Sequence, residues 1–233
     1  VMSLKEGEQL TVRQLLYSMM VWSANDAAVV LAEEVSGSVT EFAELSTKRA
    51  HELGAESTFY KNPNGLNDVT GHVTTAEDLA LICRWAMKNK TFRKIVSTVR
   101  YEVPAKGASE ERKFKSTNRL LYDKKSEINV NGRERFPKYE GAIGIKTGQT
   151  GTAGYCLAGS AKRKGTEFIA VILFAPDDLS RFSDCIKLLD FGFDNYHTYR
   201  AYKPGETAGK VKIKNGSKLK VDAEVKDGAY ATL

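Results

Sequence analysis

The sequence predicts an α/β fold of the α+β type, with helices gathered in its first part and strands after them. Two observations carry this. Apolar residues recur at helical spacing from Val12 to about Asn89, and from Thr98 the period shortens towards two. Three apolar runs then follow one another, at 141–151, 155–161 and 167–175, as strands separated by Gly-containing turns. Helices and strands thus stand in separate blocks instead of alternating.

Residues 1–10 form a polar lead with a turn at Gly7. Thr11 can cap a helix over about 12–21, whose apolar face is Val12, Leu15, Leu16, Met19 and Met20. Ser23 to Val35 is a second helical pattern, with Asp26 in its first turn and Gly37 as a stop. Thr40 to Leu53 is a third, ended by Gly54. Residues 55–73, with Asn62-Pro63-Asn64-Gly65, read as a loop. Thr74-Thr75-Ala76-Glu77 is a capping box for a helix to about Asn89, with Leu79, Ile82, Cys83 and Ala86 facing inward.

Val99, Tyr101 and Val103 alternate with polar residues, which predicts a strand. The charged stretch 105–140 predicts hairpins and long loops. After the three apolar strands, Phe182, Cys185, Ile186, Leu188 and Leu189 mark an amphipathic helix over Ser180 to about Asp194, with Asp177-Asp178 at its positive end. From Tyr199 the composition shifts. Val211-Lys212-Ile213-Lys214 and Leu219-Lys220-Val221 flank Asn215-Gly216, a hairpin signal. Residues 1–198 and 199–233 are therefore read as two units.

The chain has 233 residues, 42% hydrophobic and 27% charged, which is ordinary for a folded domain with one sizeable core. The formal charge of +6 is spread over pairs such as Lys48-Arg49 and Lys124-Lys125 with acidic residues between them. That pattern predicts a solvated surface and no nucleic-acid partner. No apolar run is long enough to span a membrane. Cys83, Cys156 and Cys185 lie in apolar stretches without metal-ligand spacing and are read as buried free thiols. His51, His72 and His197 form no ligand pattern, so neither a metal nor another cofactor is expected.

Two short motifs carry the chemistry. In Gly144-Ile145-Lys146-Thr147-Gly148 an apolar strand ends in a cation, a hydroxyl and a bare backbone. On a strand, Lys146 and Gly148 share one face. Alone, the triplet is also what a polar strand end before a turn looks like. Ser23-Ala24-Asn25 falls at a predicted helix start, where Ser and Asn are common as plain caps.

Together the two motifs resemble signature elements of the penicillin-recognising serine enzymes. Asn118-Arg119-Leu120-Leu121 and Ala153-Gly154-Tyr155-Cys156-Leu157-Ala158 narrow the resemblance to the low-molecular-mass D-alanyl-D-alanine carboxypeptidases, over about residues 1–200. The resemblance implies an antiparallel sheet flanked by helices, an all-helical subdomain and the start of a small C-terminal β-domain. It implies removal of the terminal D-alanine of peptidoglycan stem peptides through an acyl-enzyme, acylation by β-lactams, and an extracytoplasmic location, either secreted or anchored on the outer face of the cytoplasmic membrane, where peripheral association of the full-length protein is one option.

It also implies residue roles. Ser23 relays a proton near the leaving nitrogen, and Asn25 hydrogen-bonds the substrate amide. Lys146 supplies positive potential, and Thr147 offers a hydroxyl to the terminal carboxylate. Gly148 lets the substrate lie along the strand, and the Gln149 N–H supplies half of an oxyanion hole. Arg181 helps to hold the carboxylate; as a bare sequence feature it is a surface arginine at a helix start.

The family's third element, Ser-x-x-Lys with the nucleophile, normally lies tens of residues before Ser-x-Asn. Only 22 residues precede Ser23, and neither serine among them has a lysine three positions on. The expectation is therefore that the nucleophile lies outside this chain, on an N-terminal segment that either accompanies it as a separate partner or leaves it poorly stable. A β-lactamase-like hydrolase shares both motifs but also needs a deacylating base on a dedicated loop. A non-catalytic binder of peptidoglycan stems is the other alternative.

Overall fold

The computed structural model describes residues 1–66, 70–107, 109–214 and 218–232. Thr11 caps α1 (Val12–Tyr17) in a reciprocal box: its hydroxyl accepts from the Gln14 N–H, and Gln14 Oε1 accepts from the Thr11 N–H at 2.8 Å. The helix predicted to run on to residue 21 instead widens into a π-helical turn, Ser18–Trp22. At its start the Ser18 hydroxyl donates back to the Gln14 carbonyl at 2.8 Å, competing with the regular ladder.

α2 (Asn25–Ser36) ends at Gly37 in the left-handed conformation, as the sequence predicts. α3 (Val39–Glu52) is capped by Ser38. α4 (Ala76–Ala86) is capped by Thr75, one residue later than predicted, because the Thr74 hydroxyl is engaged with Thr58 at 2.8 Å. A further helix, α5 (Lys90–Val96), starts at Asn89, which caps it through the Thr91 and Phe92 N–H groups. The sequence reading ended the helical region there.

The stretch 105–140 is hairpins and loops as predicted. β1 (Arg100–Val103) pairs with β2 (Arg112–Lys115), and a 3-10 turn follows at Arg119–Leu121. Next, β3 (Ile128–Val130) pairs with β4 (Arg133–Arg135). The central sheet is antiparallel in the order β5 (Ala142–Thr150), β6 (Gly154–Arg163), β7 (Thr166–Ala175). α6 (Ser180–Asn195) lies across β6 and β7. A Cβ at Gly159 would fall 2.4 Å from Cys185 Sγ, so the missing side chain is what lets this helix approach.

Beyond α6, β8 (Thr198–Tyr202) pairs with β11 (Ala229–Thr232), and β9 (Thr207–Lys212) with β10 (Lys220–Glu224). The predicted turn residues Asn215-Gly216 lie outside the described residues. Their flanks do pair, with Lys212 opposite Lys220 and the Ile213 N–H donating to the Leu219 carbonyl at 3.1 Å.

Three apolar clusters fill the interior. One joins α6 to the sheet through Leu157, Phe182, Ile186 and Leu189 and reaches Leu120. The second joins α1, the π-turn and the β1–β2 hairpin through Leu15, Val21, Val103 and Phe114. The third, around Met87, Val96 and Ile145, packs α4 against β6 and β7 and α5 against β5. All three cysteines carry free thiols; Cys83 and Cys185 are buried, whereas Cys156, predicted buried, is partly exposed. No helix among the described residues is long and apolar enough to cross a membrane.

Candidate active site

The π-turn aims Ser23. It ends with Ser23 at φ 65°, ψ 45°, a left-handed residue outside both helices, while Ala24 takes the N-cap position of α2. Ser23 is therefore not a plain helix cap, the alternative that its place in the sequence left open. A left-handed serine carries a steric cost that the surrounding structure must offset, and such sites concentrate where a side chain is aimed for use. Asn25 is the first residue of α2 and lies half-buried beside it. Asp26 fastens this corner: its carboxylate accepts from the N–H groups of Met2, Leu4 and Ala27 at 2.9–3.2 Å. Burial alone would raise the Asp26 carboxyl, but those backbone donors outweigh it and hold it below the usual range.

β5 brings the second motif to the same place. Lys146 Nζ donates to Ser23 Oγ at 2.8 Å, across 123 residues of sequence, and to the Thr147 carbonyl at 2.8 Å. Desolvation, followed by the nearby Arg181 charge, pushes the Lys146 ammonium down to about 8. Thr147 is buried and shares a 2.6 Å hydroxyl contact with Thr117, whose N–H donates to the Val21 carbonyl of the π-turn. Thr117 is thus a bridge between the two motifs that the sequence reading missed. Its only signal was its place immediately before Asn118.

Gly148 and Gln149 are exposed, on a strand paired along one edge only among the described residues. Packing does not require the glycine: a Cβ there would meet only the Cys156 Cβ, at 3.8 Å. The position is exposed, so the missing side chain leaves room for whatever approaches from outside.

Arg181 comes from the start of α6 but is not the surface arginine that position suggests. It is 7% exposed, and its Nη1 donates to the carbonyls of Gly148 at 3.0 Å and Cys156 at 3.3 Å. Its Nη2 pairs with Asp178, and its Nε is buried without a partner among the described residues. The structure therefore brings Ser23, Lys146, Thr147 and Arg181 together through direct or one-residue contacts. Three cavities of about 510, 570 and 410 Å³ open elsewhere, on α3 and α4.

The sequence model of a family described as D-alanyl-D-alanine carboxypeptidase matches residues 1–177. The chain belongs to that family. It is 38% identical over 215 residues to the D-alanyl-D-alanine carboxypeptidase DacF of Bacillus subtilis, covering 91% of this chain and 50% of that protein. It is 34% identical over 193 residues to a D-alanyl-D-alanine carboxypeptidase of Streptomyces sp. K15, covering 80% and 62%. Penicillin-binding protein 5 of Haemophilus influenzae superposes with a TM-score of 0.81 at 28% identity, covering 100% of this chain and 62% of that one. Penicillin-binding protein D2 of Listeria monocytogenes, in its ampicillin-bound form, matches with a TM-score of 0.65 at 32% identity, covering 78% and 68%. This family member spans about half the length of the curated relatives it matches.

One spacing was overlooked in the sequence. Ser217-Lys218-Leu219-Lys220 satisfies Ser-x-x-Lys literally. Ser217 lies outside the described residues, and Lys220 opens β10 in the C-terminal hairpins.

Proposed function

We propose that this chain supplies two walls of a serine-type D-alanyl-D-alanine carboxypeptidase site, which removes the terminal D-alanine of peptidoglycan stem peptides and is acylated by β-lactams. The observation that carries this reading is the 2.8 Å bond from Lys146 to Ser23. It joins Lys-Thr-Gly to Ser-x-Asn as proton transfer to a leaving amine requires. With its ammonium pushed down to about 8, Lys146 can hold or release a proton near neutral pH and pass it through Ser23. Asn25 hydrogen-bonds the substrate amide. The substrate lies along the open edge of β5 in the manner of an added strand, over Gly148, with the Gln149 N–H as one oxyanion donor. Thr147 and the field of Arg181 receive the terminal carboxylate.

The nucleophile in this reading is a Ser-x-x-Lys pair outside residues 1–233, on an N-terminal segment. The acceptor is water, the setting is extracytoplasmic, and residues 199–233 begin a separate β-rich unit.

Acylation by a fluorescent penicillin, read by intact mass, tests this. The chain alone is expected to show no adduct. Complemented with a Ser-x-x-Lys segment, it is expected to place one adduct on that segment. An adduct on residues 1–233 would overturn the location of the nucleophile, and no adduct in either case would overturn the acyl-enzyme reading.

A further inference from the structure

We infer that Asp178 is a positioning residue, a carboxylate clamped between Arg119 and Arg181 that fixes the Arg181 guanidinium against the Gly148 strand. The placement of Arg181 stands on geometry alone; its use, to hold a substrate carboxylate, rests on the function proposed above.

The connection runs through one continuous set of contacts. Asp123 accepts from the Lys125 N–H at 2.9 Å and the Ser126 N–H at 3.2 Å. Those donors, with the Ser126 hydroxyl, overcome burial and hold its carboxyl down at about 2. Arg119 Nη1 reaches Ser126 Oγ at 2.8 Å and Asp123 Oδ2 at 3.3 Å. The other Arg119 limb, Nη2, meets Asp178 Oδ2 at 2.7 Å. Asp178 Oδ1 then accepts from Arg181 Nη2, and Arg181 Nη1 bonds the Gly148 and Cys156 carbonyls.

The arrangement has a physical purpose. Arginine has many rotamers, and a nearly buried guanidinium is costly unless its donors are met. The two carbonyls hold only one limb. Asp178 holds the second, but a carboxylate only three residues before Arg181, in the turn that leads into α6, can move with its partner. Arg119 removes that freedom by gripping the other oxygen from a different element. The turn bearing Arg119 is itself fixed, by Asn118 Oδ1 accepting from the Leu120 N–H at 3.1 Å and by Leu120, which is fully buried. Asn118-Arg119-Leu120-Leu121, met in the sequence as a fingerprint, thereby acquires a task. The buried Nε of Arg181, without a partner among the described residues, shows that this clamp leaves a donor uncommitted.

The test uses the full chain with labelled arginine side chains, as wild type, Asp178→Asn and Arg119→Gln. In wild type the Arg181 Nε–H is expected to exchange slowly. In both variants it is expected to exchange like an exposed arginine while the backbone amides of β5–β7 keep their shifts. A second readout is binding of a diacyl-L-Lys-D-Ala-D-Ala peptide and of its C-terminal amide. Asp178→Asn is expected to weaken the acid about tenfold, the size of one charged hydrogen bond, and to leave the amide unchanged. In an Arg181→Gln background the Asp178 effect is expected to vanish.

An Arg181 signal already fast in wild type, or unmoved in both variants, would overturn the inference, as would equal weakening of acid and amide. If wild type binds neither peptide while the Arg181 signal still responds, the functional reading fails and the positioning role stands.

Discussion

Lys146 is the residue on which the site turns, and its proton balance is the property most open to measurement. Its ordinary value is 10.5, and desolvation together with Arg181 brings it to about 8 in the fold. Between those values the unfolded chain binds a proton that the folded chain does not. Stability therefore rises with pH through that window, and the folded state carries the full penalty below about pH 8. In spectra of side-chain-labelled lysine, one signal is expected to titrate near pH 8, apart from the surface lysines, and to disappear in Lys146→Ala. Titration of every lysine together near the ordinary value would contradict the buried, Arg181-facing placement. At this scale the sequence was most informative about identity. Ser23, Asn25 and Lys146-Thr147-Gly148 could be named because the chemistry needs those groups in short fixed strings. Thr117 and Asp178 could not, because each acts through long-range contacts, to Val21 and Thr147 or to Arg119, that have no period and no string. Arg181 was named for its position, yet its burial against two carbonyls was invisible.

The elements show where pattern reading stops. A helical stripe of Leu15, Leu16, Met19 and Met20 does not distinguish an α-helical continuation from the wider π-turn that forms, since both keep these residues on the buried side. The difference decides where Ser23 points. α5, a seven-residue helix, is too short for periodicity to reveal, and only the Asn89 cap announced it. The strands were legible because β5, β6 and β7 are long apolar runs between turns, and α6 because its apolar face is continuous. Their closeness was not, and it depends on Gly159. Gly159→Ala would set a Cβ against Cys185 Sγ, a fully buried atom on the packed face of α6. We expect a loss of about 1–3 kcal/mol in denaturant unfolding, the ordinary cost of overpacking a filled core. An unchanged midpoint would show that α6 and β6 are not so tightly joined.

At the scale of the molecule, the site lies where the apolar clusters meet. The cluster around the π-turn sets Ser23, that beneath α5 backs β5 through Ile145, and that under α6 carries Arg181 and Leu120. Half-buried Arg93 and Glu167 add a polar tie to this packing, joining α5 to β7 with two bonds at 2.7 and 3.0 Å. The fold class and the block order of helices and strands followed from periodicity. The convergence of residues 23, 117, 146 and 181 did not, because it is a property of how the clusters pack. The proposed reaction rests on the family match and the Lys146–Ser23 bond, and release of D-alanine tests it most directly. The chain would be complemented with a Ser-x-x-Lys segment and given diacyl-L-Lys-D-Ala-D-Ala, as wild type and as Lys146→Ala. We expect free D-alanine from the wild type and a rate roughly 10²–10³ lower in the variant, the scale of losing one electrostatic group in the transition state. Equal release by both would contradict the role given to Lys146, and absence of release by the wild type would contradict the proposed reaction.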